Sequence, residues 1–291
     1  MTSTPVARAD VAARPHLDVG PDAGDVALVE SRHFRQGRVR VLRELLPTLA
    51  LILVVLTAWE IAVRVLRVAP YLLPSPSAIA LRLLGDPVFF AREGAYTLSE
   101  ALAGLAVGGG LALMAGLLMA RWRWLERALL PVAILAKVTP VVIVAPLFVL
   151  WFGFGPLPRV LIAALLTFFP VLVGAVSGLR AAPLAARDVF LTLDATRAQE
   201  ALLLRLPAAL PQLFAALKVA STLALLGAVI AEWVGGDRGL GRAILLANSN
   251  LDTTTALAGV AIIGSIGVAL VGGLSILERR MLFWHADSAA D

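Results

Sequence analysis

Few residues in this chain could do chemistry, and their spacing decides what kind. The two lysines, Lys137 and Lys218, lack the preceding glycine of a phosphate-binding loop, so the chain carries no cradle for a nucleotide and is not expected to hydrolyse ATP. The three histidines, His16, His33 and His285, fall close to the chain ends with no carboxylate cluster beside them, which argues against a metal site. Cysteine is absent, and with it disulfides, thiolate ligands and cysteine nucleophiles. No Ser-His-Asp set falls where a pocket could form. The chain is read as a non-enzyme with no cofactor of its own.

Charge instead gathers in one place. Arg187, Asp188, Asp194, Arg197, Glu200 and Arg205 lie within twenty residues of a sequence otherwise built from Leu, Ala and Val, marking a solvent-facing loop between two membrane spans. Thr196 followed three residues later by Gln199 is a capping-box pattern: the hydroxyl serves one orphan amide and the glutamine reaches back to another. A short helix is expected to start there and to end near Leu206-Pro207, because proline removes a backbone donor and disfavours helical geometry in the residue before it. Pro211 is then expected in the first turn of the next span, where a missing N–H costs nothing.

The elements that must position this loop are membrane helices. Hydrophobic residues make up 59% of the chain, and several apolar runs approach the roughly 20 residues needed to cross about 30 Å of hydrocarbon. Six spans are predicted, at 45–65, 95–120, 129–152, 160–179, 213–234 and 256–277, giving an all-α polytopic bundle. Residues 1–38 lack apolar periodicity and read as a disordered tail; 39–285 form the membrane domain, with the charged loop at about 181–211, and 286–291 a short C-terminal tail. No signal-peptide core with a cleavage site follows the start, so the first span is expected to be retained. With both termini inside, 14 arginines flank the cytoplasmic ends and 7 the outer ones, as the positive-inside tendency requires. The net charge of +5 is therefore read as topological rather than as a sign of nucleic-acid binding.

Within the spans, isolated polar residues stand out. Lys137 in the third span should face protein or water, or snorkel to the headgroups. Pro140 and Pro146 interrupt the same span and free carbonyls that a cavity or a neighbouring helix must satisfy. Glu232, beside Trp233 at the end of the fifth span, is expected to fix the outer loop through a partner such as Arg238, or to contact solute or form part of a gate. Lys137, Pro140, Pro146 and Glu232 are thus the candidates for a solute path. Glycines of the second span (104, 108, 109, 110, 116) and the sixth (259, 264, 267, 272, 273) are read as close helix contacts. Between the first two spans, Ser77 is placed at a cap, opening an amphipathic helix on the outer membrane surface.

The charged loop resembles the EAA loop of the transmembrane permease subunits of binding-protein-dependent ABC importers, in which Leu-Pro follows a loop glycine by a fixed interval. Leu206-Pro207 fits that pattern, and its register puts Asp194 at the glycine, Asp188 at the glutamate, and Val189 and Phe190 at the alanines. Aspartate tolerates a left-handed backbone, so the turn is expected to persist. The segments LLPSPSAI, APLFVLWFGFG, FFPVLVGAVSGL and AEW with a following GLG resemble the nitrate, sulfonate and taurine branch of these permeases, together with transporters of thiamine-pyrimidine precursors.

The resemblance implies a homodimer in the cell inner membrane, cytoplasmic ATPase subunits that bind the ATP, and an extracytoplasmic solute-binding protein. It assigns the ATPase-coupling role to Asp188, Asp194, Ala195, Thr196, Arg197, Gln199, Glu200, Leu206 and Pro207, with lipid as the surrounding partner. The solute would be a small organic or oxyanion nutrient such as a sulfonate, nitrate or a thiamine precursor, moved by alternating access. An ion-gradient-driven secondary transporter is the competing class. It would be expected to hold paired carboxylates within the membrane, and only Glu60 and Glu232 are noted, near one outer boundary.

Overall fold

A computed structural model describes residues 46–282. The N-terminal tail, the arginines preceding the first span, His285 and the C-terminal tail lie outside the described residues. Within them the chain is all-α, without a strand. Its helices are α1 (Leu46–Val65), α2 (Pro76–Gly85), α3 (Pro87–Arg121), α4 (Arg123–Val138), α5 (Val141–Phe152), α6 (Pro156–Arg180), α7 (Leu184–Thr192), α8 (Arg197–Glu200), α9 (Leu206–Gly235), α10 (Leu240–Ser249) and α11 (Thr253–Met281). A π-helical turn, Ala201–Arg205, joins α8 to α9 without a break. The chain divides into two compact units, Met1–Trp59 and Glu60–Asp291. Of the first, the described part is the opening stretch of α1, a run of exposed apolar side chains such as Leu49, Leu53 and Val55.

The second unit is built on α3, α6 and α9. Small residues let these helices meet closely. A Cβ added to Gly104 would strike Ala163, one on Gly108 would strike Thr167 and the Ala164 carbonyl, and one on Gly227 would come within 2.7 Å of the Ala163 Cα. In a membrane, where lipid is as apolar as leucine, such close packing is the main attraction between helices. Ala112, Met119, Val171, Leu172 and Ala220 fill the space around these contacts.

Four expectations are corrected. First, among the described residues five helices are long and apolar enough to cross a membrane, so the third of the six predicted spans is not found as one long helix. The predicted third span is two helices, because Thr139 and Pro140 are extended (ψ 123° and 110°) and separate α4 from α5. At 16 and 12 residues these reach only about 24 and 18 Å. Pro140 lacks the N–H to continue the ladder and pushes Thr139 out of helical geometry.

Second, the loop helix does not end at Leu206-Pro207. The Leu206 N–H bonds to the Ala201 carbonyl, five residues back, and this wider turn carries the helix past Pro207, which sits in the first turn of α9. Pro211 is therefore inside α9 rather than at its start. Third, Ser75 rather than Ser77 caps α2, its hydroxyl accepting from the Ala78 N–H. Ser77 instead bonds Glu60 through both its N–H (3.0 Å) and its hydroxyl (2.7 Å). Fourth, the glycines of α11 are mostly not packing points within the chain: a Cβ on Gly264, Gly272 or Gly273 would meet nothing within 4 Å.

Candidate functional site

The charged loop is a built structure. α7 carries Asp188, Val189 and Phe190 and closes in a Schellman motif. The Ala195 N–H reaches back to the Phe190 carbonyl (3.0 Å) and the Asp194 N–H to the Leu191 carbonyl (3.2 Å). The residue between must be left-handed, and Asp194 is, at φ 51°. The chain then turns directly into α8. The Thr196 hydroxyl accepts from the Gln199 N–H, while the Gln199 side-chain oxygen accepts from the Thr196 N–H at 2.8 Å. Both halves of the capping box are thus present.

Glu200 ties the turn together. It accepts from Arg187 Nε at 3.0 Å, and from Arg205 Nε and Nη2 at 3.0 and 2.7 Å, linking α7, α8 and the π-turn through one carboxylate. The Arg205 hydrogen bonds outweigh the opposing effect of burial and, with the Arg187 hydrogen bond added, hold its carboxyl below the usual carboxylate range. Asp188, Asp194, Thr196, Arg197 and Gln199 are exposed, whereas Ala195, Leu206 and Pro207 are half-buried supports. Around them Leu184, Val189, Leu191, Leu193, Leu202 and Leu203 are each more than half exposed.

The four solute-path candidates lie on different elements. Lys137 lies in the last turn of α4 with its ammonium 4.6 Å from the Phe169 ring centre, a cation–π contact with α6. Pro140 forms the α4–α5 break and Pro146 lies inside α5. Glu232 is fully buried near the far end of α9. It does not pair with Arg238, which donates instead to the Tyr96 hydroxyl. Glu232 accepts from the Thr97 hydroxyl (2.7 Å) and from the Gly241 N–H (2.5 Å).

Around Glu232 lies a polar cluster that the sequence reading missed. Glu93 accepts from the Gly239 N–H (2.7 Å), Thr97 from the Leu240 N–H (2.8 Å) and Glu232 from Gly241, so three consecutive amides at the start of α10 are satisfied by α3 and α9. Carboxylates at a helix N-terminus also meet the positive end of its dipole. Beside them Arg159, only 6% exposed, donates to Glu100 (2.5 Å), to Asp237 (2.9 Å) and to the Gly155 carbonyl (2.9 Å). The cluster ties the turn between α9 and α10 to α3 through hydrogen bonds, and the expected pair of Glu232 with Arg238 is not formed. Its signal was the seven-residue interval between Glu93 and Glu100, which puts two carboxylates on one face of α3. The count of membrane carboxylates was therefore too low.

Comparisons with known proteins give the chain its family. Residues 108–283 match the family described as binding-protein-dependent transport system inner membrane component. The formylaminopyrimidine transport permease protein ThiX of Halalkalibacterium halodurans is 34% identical, over 82% of this chain and 95% of its own length. The riboflavin transport system permease protein RibX of Chloroflexus aurantiacus is 36% identical, over 81% and 89%. The taurine transport system permease protein TauC of Escherichia coli is 28% identical, over 90% and 98%. A solved structure of the MetNI methionine ABC transporter, in an inward-facing conformation, shares the fold at a TM-score of 0.61 and 16% identity, covering 68% of this chain and 98% of that one. These relatives favour the importer class over a secondary transporter. The chain belongs to the binding-protein-dependent transport system inner membrane component family: it is a multi-pass permease subunit of an ABC importer, a transport component and not an enzyme.

Proposed function

We propose that residues 184–207 are the element through which this permease is driven, by docking against a separate cytoplasmic ATPase that binds the ATP. The observation that carries this is the loop itself: a Schellman turn at Asp194, a capping box at Thr196 and the Glu200 clamp present exposed leucines on a rigid base. Because α8 runs through the π-turn into α9, a push on the loop acts on one end of a continuous 39-residue helix. Alternating access would then be a tilt of α9 against α3 and α6. A second copy of the permease completes the solute path, with both termini and the loop on the cytoplasmic side and a binding protein delivering solute from outside.

The solute is a small polar nutrient. ThiX, RibX and TauC are named for a formylaminopyrimidine, riboflavin and taurine, and thiamine precursors and sulfonates are the classes we favour. The test is reconstitution in vesicles. The permease alone should neither hydrolyse ATP nor move solute, and adding the cognate ATPase and binding protein should confer ATP-dependent uptake. Robust ATP hydrolysis by the permease alone, or uptake driven by an ion gradient without the ATPase, overturns the proposal.

A further inference from the structure

At the loop end of α3, two cavities lie on one helical face. A groove of about 530 Å³ is lined by Leu102, Ala106, Gly109, Gly110 and Leu113 of α3, with Leu210 of α9 opposite. A Cβ on Gly110 would meet nothing within 4 Å, so the glycines open space there instead of filling it. One turn further along the same face, a cavity of about 450 Å³ is bounded by Leu117, Ala120 and Arg121 of α3 and by the charged loop. Positions 102, 106, 109, 113, 117 and 120 follow the helical period, so apolar groove and charged cavity lie in line as one track on a single face of α3.

Their chemistry differs as the two parts of a lipid differ. The groove runs about 17 Å along α3, close to half of the roughly 30 Å hydrocarbon core, and its lining is apolar. The charged cavity is faced by four guanidinium groups, Arg121, Arg187, Arg197 and Arg205, against the single carboxylate of Glu200. Glu200 already accepts from Arg187 and Arg205, whereas Arg121 and Arg197 have no ion pair among the described residues. An excess of three positive charges at the membrane boundary suits a phosphate, which arginine binds in its fork geometry.

We infer that this track holds one anionic phospholipid, its phosphate among the four arginines and an acyl chain in the groove past Gly109 and Gly110. Such a lipid joins the loop to α3 and α6, bracing the element proposed to meet the ATPase. The inference goes beyond the coupling proposal. It relies on the loop orientation only for the leaflet that supplies the lipid, and its test requires no ATPase.

The full chain, purified in a neutral detergent, is incubated with equal amounts of dioleoyl phosphatidylglycerol and dioleoyl phosphatidylcholine, and retained lipid is counted by native mass spectrometry. Phosphatidylglycerol should be retained at least about fivefold more, with about fivefold of that preference lost for each of Arg121→Gln and Arg197→Gln. Gly110→Leu, which projects into open space and should leave the fold intact, should lower phosphatidylglycerol retention severalfold by blocking the groove. That variant keeps the test decisive if an arginine variant fails to fold. Equal retention of the two lipids overturns the inference. So does an unchanged preference in the arginine variants, as expected if their partner is an acidic surface of the ATPase. Displacement of the lipid by an equal concentration of glycerol phosphate, which would mark a site for free anions, also overturns it.

Discussion

Asp194 shows how a departure from a family pattern can keep the geometry of that pattern. The residue occupies the left-handed position that ends α7, where glycine avoids the clash that a Cβ brings. Asp194→Gly should therefore leave loop stability unchanged or raise it by up to about 1 kcal/mol, read by hydrogen exchange of the amides of residues 190–200. A clear loss of protection would mean that the carboxylate itself is needed. Thr196→Ala should cost the same segment about 1 kcal/mol by removing the cap. Glu200 supplies a pH dependence. Its folded-state value is lowered by Arg205 and Arg187, so the clamp stabilises the loop above the ordinary glutamate value of about 4.3 and is lost only as pH falls through the lower folded value. Loop protection should hold from neutral pH down to that ordinary range and collapse below it. A transition between pH 6 and 8 would contradict the assignment. Asp194 and Thr196 were legible in the sequence because turns and caps are local, whereas Glu200 was read only as a loop charge and its pairing with Arg187 and Arg205 was not. The role of Arg159 was not legible, because its partners Glu100 and Asp237 lie 59 and 78 residues away.

At the scale of the elements, the α3–α6 contact and the α4–α5 break make opposite demands on side-chain size. Gly108 lies against Thr167 and Ala164 with no room for a side chain. Gly108→Val should lower the thermal stability of the purified chain by about 1 to 3 kcal/mol, and a neutral result would contradict the packing of α3 on α6. Arg159→Ala should cost about 3 to 5 kcal/mol by stranding Glu100 in a buried setting, measured the same way. Arg159→Lys should recover only part, since a compact ammonium replaces a planar fork whose three nitrogens each reach a different acceptor. The long spans were readable because twenty apolar residues admit little else, and so was the capping box. The unbroken passage from α8 into α9 was not, because Leu-Pro normally marks a stop and only the π-turn shows how the helix survives it. The division of the third span was half legible: Pro140 and Pro146 were read as interruptions, but hydropathy alone does not tell which of the two prolines ends a helix and which lies inside one.

For the whole molecule, the proposed orientation and the loop's role are one claim, since the loop can meet a cytoplasmic ATPase only if it lies inside. The all-α membrane fold was visible in composition, and family membership in the loop register and the linked motifs. The buried cluster at the far end required the tertiary structure. The absence of native cysteine makes one measurement especially direct. Single cysteines at Leu193, Thr196 and Ser249 are introduced in turn, and each variant is co-expressed with the cognate ATPase in cells and treated with a membrane-permeant bismaleimide. Leu193→Cys and Thr196→Cys should cross-link to the ATPase and stay unlabelled by an impermeant maleimide added outside, whereas Ser249→Cys should label from outside and form no cross-link. Outside labelling at Thr196, or cross-linking from Ser249 but not from the loop, would contradict the account.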